Sequence, residues 1–152
     1  MVRVKGDTTT PDLLAWEPPR MVERFDEARV RSPSLRSRIA RAVGETLKSC
    51  EIPRDEIAAA MSAWMGEDIS LNMLNAYASE AREDQTISYL RLLALVHVTG
   101  DTRLLQLGAD MFSHSIIADR YLPWVEVGQL ADKRDEIERE LDAARRLARR
   151  KP

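Results

Sequence analysis

The residues best placed for chemistry are short polar side chains on one predicted helix, and their chemistry is recognition rather than bond making. Within residues 70 to 79, SLNMLNAYAS, the side chains of Ser70, Asn72 and Asn75 take outward positions, with Arg82 just beyond. An asparagine amide can pair with both edge atoms of adenine, and a serine hydroxyl can contact a base or a phosphate. Groups suited to catalysis are sparse. His97 lies in the apolar run TISYLRLLALVHV, His114 follows close behind Phe112, and Cys50 sits at a helix end. Each reads as a core or boundary residue, because no partner at catalytic spacing accompanies it. The chain has no GxGxxG, phosphate-loop lysine, GxSxG or HExxH pattern. One cysteine and two distant histidines supply no zinc, haem or iron–sulfur ligand set. The expectation is a protein without catalytic residues, metal or cofactor.

The elements that must position Ser70, Asn72 and Asn75 form a helix, a tight turn and a second helix across residues 52 to 81. Pro53 suits the first turn, where its missing N–H costs nothing. Asp55 and Glu56 complement the positive end of the helix dipole. Ile57, Ala60, Met61 and Trp64 fall on one face, Gly66 stops the helix in the left-handed conformation, and Ser70 caps the next. That order is a helix-turn-helix, whose second helix presents its N-terminal outward residues to the major groove. An ordinary pair of antiparallel helices uses the same signals.

Around this motif the sequence predicts an all-α protein, a compact five-helix cluster followed by a long charged helix. Residues 1 to 33, with Pro11 and WEPP, read as an extended arm whose Leu13, Leu14 and Trp16 could lie on a surface groove. Residues 34 to 114 form the helical domain. Ser34 caps a helix to about Ser49 with a stripe at Leu35, Ile39, Ala42, Val43 and Leu47. Leu71, Leu74 and Tyr77 or Ala78 are the buried positions of the second motif helix. Residues 86 to 98 are almost wholly apolar and predict the central, most buried helix. Asp101 caps the helix that follows. Residues 115 to 126, interrupted by Pro123, predict a short extended connector. In the last segment, 127 to 152, Val127, Leu130, Arg134, Ile137, Leu141, Ala144 and Ala148 recur at alternating steps of three and four. That is a heptad seam about three repeats long, with Arg134 as its polar flaw. Val127, Leu130, Ile137 and Leu141 are the candidate dimerisation residues.

Charge divides the chain. The net charge is -2, so any attraction to nucleic acid or an anionic membrane must be local. Residues 51 to 84 hold eight acidic residues against Arg54 and Arg82. The flanks are basic. Arg36, Arg38 and Arg41 lie on the preceding helix, and Arg145, Arg146, Arg149, Arg150 and Lys151 crowd the C-terminus. Either set could neutralise phosphates, or serve as an ordinary solvated face. No apolar run approaches the about 20 residues a membrane span requires. One cysteine and no signal-like N-terminus point to the cytoplasm.

The strings DLLAWEPP at 12 to 19, SLRSRIARAV at 34 to 43, and the stretch from RDEIAAAMSAWMGEDISLNMLNAYASEA to LLQLGADMF at 54 to 112 carry a wider similarity. Together they resemble small early-region proteins of Mu-like transposable phages and prophages. The central part is similar in style to phage CII-type regulators. The resemblance implies a DNA-binding regulator with its second motif helix facing double-stranded DNA. Ser70, Asn72, Asn75 and Arg82 would then lie in the groove, and the flanking bases on phosphates. The alternative expectation is a non-catalytic adaptor that binds a phage or host protein through the acidic face (Glu67, Asp68, Glu80, Glu83, Asp84) and the WEPP arm.

Overall fold

The computed structural model describes residues 21–150 except Glu83, with the side chain of Arg150 also left aside. The part of the predicted arm with Leu13, Leu14 and Trp16, and Lys151, lie outside the described residues. Among the described residues the protein is all-α, in chain order α1 (Glu27–Val30), α2 (Leu35–Ser49), α3 (Arg54–Met65), α4 (Leu71–Tyr77), α5 (Tyr89–Thr99), α6 (Arg103–Asp110) and α7 (Leu122–Arg150).

Local chemistry sets most boundaries. Ser34 Oγ accepts from the Ser37 N–H at 3.1 Å and starts α2. Ser70 Oγ accepts from the Met73 N–H at 3.2 Å and starts α4. Gly66 ends α3 with φ 71°, a region that costs most residues about 1–2 kcal/mol and glycine nothing. The Asp101 carboxylate accepts from the Arg103 N–H and caps α6, although the helix itself begins after Thr102.

The core lies where α2, α3, α4, α5 and α6 meet. Val43, Ile57, Met61, Leu74 and Leu95 are fully buried there. Burying each such side chain contributes about 1.5–3 kcal/mol. Packing is most extensive between α3 and α5.

Several expectations are corrected. The folded part begins before residue 34, because Asp26 caps α1 and Val30 is buried in the core. The helix predicted from 86 starts at Tyr89, and of its apolar residues only Ala94 and Leu95 are fully buried. Tyr89 and Leu90 are exposed, since the small cluster covers one side of α5 and leaves the other open. In α3, Ala58 is buried in place of Ala60, and Trp64 reaches out to stack on the His97 ring at 4.9 Å. Leu71 is exposed too. The connector is shorter than predicted. Residues 119–121 form a 3-10 turn, and α7 begins at Leu122, not at 126 or 127. Pro123 falls in its first turn, where no intrahelical N–H is required, so it starts a helix where an extended connector is expected.

Candidate helix-turn-helix interface

The candidate helix-turn-helix, α3 and α4, is held by a serine inside α3. Ser62 Oγ donates to the Ala58 carbonyl at 2.8 Å and accepts from the Ile69 N–H at 2.8 Å. One hydroxyl thus ties the end of α3 to the residue that precedes the Ser70 cap. Ile69 is buried beside it, so the turn cannot swing free of the core. A second tie joins the helices at their far ends, where Arg54 Nη1 donates to Asn75 Oδ1 at 2.8 Å.

These bonds leave Ser70, Leu71 and Asn72 exposed at the start of α4. Asn75 is half-buried, and its oxygen is occupied by Arg54. Arg82 is exposed past the end of α4. The structure therefore brings Ser70 and Asn72 to one open surface, holds Asn75 back, and sets Arg82 at a distance along the chain.

The three arginines of α2 are engaged elsewhere. Arg36 Nε donates to Thr86 Oγ1 at 2.9 Å. Arg38 pairs with Glu27 at 2.7 Å, joining α2 to α1. Arg41 pairs with Glu80 at 2.8 Å and donates to the Arg31 carbonyl at 2.6 Å, joining α2 to the end of α4 and to the α1–α2 loop. Arg91 of α5 hydrogen-bonds the Tyr77 hydroxyl and lies 3.7 Å from Glu67. The guanidiniums nearest the motif thus crosslink helices. Asp55, Glu56, Glu67, Asp68, Glu80 and Asp84 are all exposed around it. An acidic rim of this kind repels phosphate.

The basic residues of α7 stand apart from this surface. Arg145 pairs with Asp142 one turn back at 3.4 Å, while Arg146 and Arg149 are exposed. The predicted pairing residues Val127, Leu130, Ile137 and Leu141 are 47–64% exposed, and they share one stripe.

A polar cluster around Asp101, legible in the sequence only as a helix cap, joins α2 to the start of α6. Asp101 accepts from Thr46 Oγ1 at 2.7 Å and from two guanidinium nitrogens of Arg103 at 2.8 and 2.7 Å. Arg103 also donates to Ser49 and lies 4.5 Å over the Phe25 ring. Burial pushes the Asp101 carboxyl up. The hydrogen bonds from Arg103 and Thr46, with the Arg103 charge, outweigh burial and hold it below its ordinary value. The cluster borders an open cleft of about 810 Å³ that Cys50 also lines. Its polar atoms satisfy one another, so its work is to join α2, the α5–α6 turn and the N-terminal segment.

Among the described residues no group of three or more His, Cys, Asp or Glu could hold a metal ion, and no helix is long and apolar enough to cross a membrane. Compared with models of known families, with curated proteins and with solved structures, the chain has no match.

Proposed function

We propose that this chain is a non-enzymatic regulatory interaction protein that pairs through α7 and meets a basic protein surface with the acidic rim of its helix-turn-helix. The observation that carries the reading is the use of the nearby cations. Arg38, Arg41 and Arg91 are paired with Glu27, Glu80 and Glu67, while Asp55, Glu56 and Asp68 remain exposed. Opposite charge on a partner favours encounter and register more than raw affinity.

Pairing through α7 is supported by its charges as well as its stripe. With Val127 at heptad position a, Leu130 and Ile137 fall at d and Leu141 at a. Lys133 and Glu140 then occupy g, and Glu138 and Arg145 occupy e. Two parallel helices in register bring each Lys133 to the other Glu138, and each Glu140 to the other Arg145, both attractive pairs. Arg134 at a core position costs stability and fixes register; it lies 3.8 Å from Glu138 of its own helix.

The test is capture of a partner that withstands nuclease digestion and is lost with Asp55→Lys and Asp68→Lys together. Retention of the same partner by that double variant counts against the acidic rim.

A second reading, duplex DNA binding, draws on a separate observation: Ser70 and Asn72 are open at the start of α4, in the place where a helix-turn-helix reads bases. The resemblance to phage regulators points the same way. The exposed Arg82, Arg146 and Arg149 would have to supply phosphate contacts. Gel shifts across a salt series separate the two readings. A shift that persists at physiological salt and weakens with Arg145→Ala and Arg146→Ala together favours DNA, and its absence at low salt removes that reading.

A further inference from the structure

α2, α5 and α6 leave between them an apolar groove of about 440 Å³, lined by Leu35, Tyr89, Leu93, Leu105, Phe112 and Ile116 among others. Phe112 is 72% exposed and Tyr89 73%, both on the open side of α5 and α6. A contiguous apolar surface of this kind on a small domain marks a place where something docks.

The path of the chain indicates what. Phe25 lies beneath Arg103 at the start of α6. One residue earlier, the Arg24 guanidinium bonds Asp110 Oδ1 at 3.0 Å and Ser115 Oγ at 3.1 Å, past the other end of α6. The Arg24 side chain thus reaches from the start of α6 to its C-terminal end, while Val22 and Glu23 lie along the cleft beside Arg103. Asp110 and Ser115 bracket Met111 and Phe112 and adjoin Ile116, so Arg24 is fixed at the edge of the groove. Gln106 holds this edge in shape. Buried in α6, it donates to Asp110 Oδ1 and the His114 carbonyl and accepts from the Ile116 N–H.

Upstream of Arg24, the sequence DLLAWE at 12 to 17 supplies Leu13, Leu14 and Trp16. Trp16 is eight residues from the Arg24 anchor, a reach of at most about 26–29 Å in extended chain. That easily covers a groove whose rim begins beside Asp110. Pro18 and Pro19 follow directly and limit the conformations the link can take. A buried tryptophan covers about 150–250 Å² and dominates a contact of this size.

We infer that residues 12 to 17 of the same chain dock in the α2–α5–α6 groove, with Trp16 against Phe112 and Leu93. The inference is independent of the partner or DNA reading and of pairing through α7.

The test uses the full chain with Trp64→Phe and Trp124→Phe, both exposed positions, so that Trp16 is the sole tryptophan and is excited apart from the tyrosines. The expected result is blue-shifted emission, shielded from iodide. Adding Phe112→Glu should abolish the shielding, and dilution through the monomer–dimer range should leave it unchanged. Emission of a fully solvated tryptophan, or shielding that ignores Phe112→Glu, overturns the proposal. Shielding that disappears on dilution also overturns it, because the segment would then come from a second copy. If the tryptophan variants do not fold, deuterium exchange on the unaltered chain and on Phe112→Glu alone decides. Protection of residues 12 to 17 must be lost in the variant, and equal exchange in both chains overturns the proposal.

Discussion

The helical cluster and α7 use the same kinds of residue in opposite ways. In the cluster, charges pair across elements: Arg24 with Asp110, Arg38 with Glu27, Arg41 with Glu80 and Arg29 with Glu45. Its large aliphatic residues converge on Ile57, Met61, Leu74 and Leu95. In α7, charges pair within a turn: Lys133 with Glu136, Arg134 with Asp135, Arg145 with Asp142. Its aliphatic residues face outward along the length of the helix. The first region buries a core of its own and closes its charges on itself, leaving one apolar groove open. The second satisfies only its own backbone, and an isolated helix owes little stability to propensity without a packed face. Its first two turns carry apolar residues on several sides, with Leu122, Trp124, Val125 and Val127 all exposed. That pattern belongs to a helix with neighbours on more than one side.

The sharpest contrast should appear on truncating a leucine in each region. Leu95→Ala or Leu74→Ala removes a fully buried side chain and should cost about 2–5 kcal/mol in denaturant unfolding of the cluster. Leu141→Ala, at an exposed position, should leave the unfolding of the cluster unchanged at concentrations where the chain is monomeric. Equal losses from both would mean that α7 packs on its own cluster.

Asp101→Asn should come next, at about 2 kcal/mol, because it removes the charge that Arg103 and Thr46 both bond. The same group predicts a pH response. Its folded pKa is lowered, so its contribution is complete above the unfolded carboxylate value of about 3.9 and is lost as pH falls through the folded value. Urea midpoints should therefore decline on acidification in the parent and decline less in Asp101→Asn. Identical acid profiles would remove Asp101 from the account.

Gly66→Ala is the smallest effect, about 1–2 kcal/mol, from backbone strain alone, because an added Cβ meets nothing within 4 Å. Thermal melts should show a modest shift. A shift as large as that of Leu95→Ala would mean that the turn governs the core.

What could be read in the sequence was whatever acts over one helical turn. The caps at Ser34 and Ser70 and the stop at Gly66 depend on neighbours three or four residues away, and they fall where their chemistry places them. The candidate surface was legible at Ser70 and Asn72 for the same reason. Asn75 was not, because its partner Arg54 lies twenty-one residues back on another helix. Nor did periodicity disclose that Arg36, Arg38 and Arg41 would meet Thr86, Glu27 and Glu80, since those partners are brought by the fold. Residues 86 to 98 were read as the most buried helix from apolar content alone. Content cannot tell a helix covered all round from one whose open side lines a groove. Pro123 marks a break in an extended segment, but the same fixed φ and missing N–H suit the first turn of a helix.

The central claim is that α7 is a pairing helix borne by a self-sufficient cluster. Sedimentation equilibrium of the full chain beside Leu130→Lys with Ile137→Lys tests it most directly. The account predicts a reversible monomer–dimer equilibrium in the parent and a monomer in the double variant, with the same far-ultraviolet signature for the cluster and the same unfolding midpoint under monomeric conditions. A parent that stays monomeric at high concentration, or a double variant that still dimerises, would contradict it.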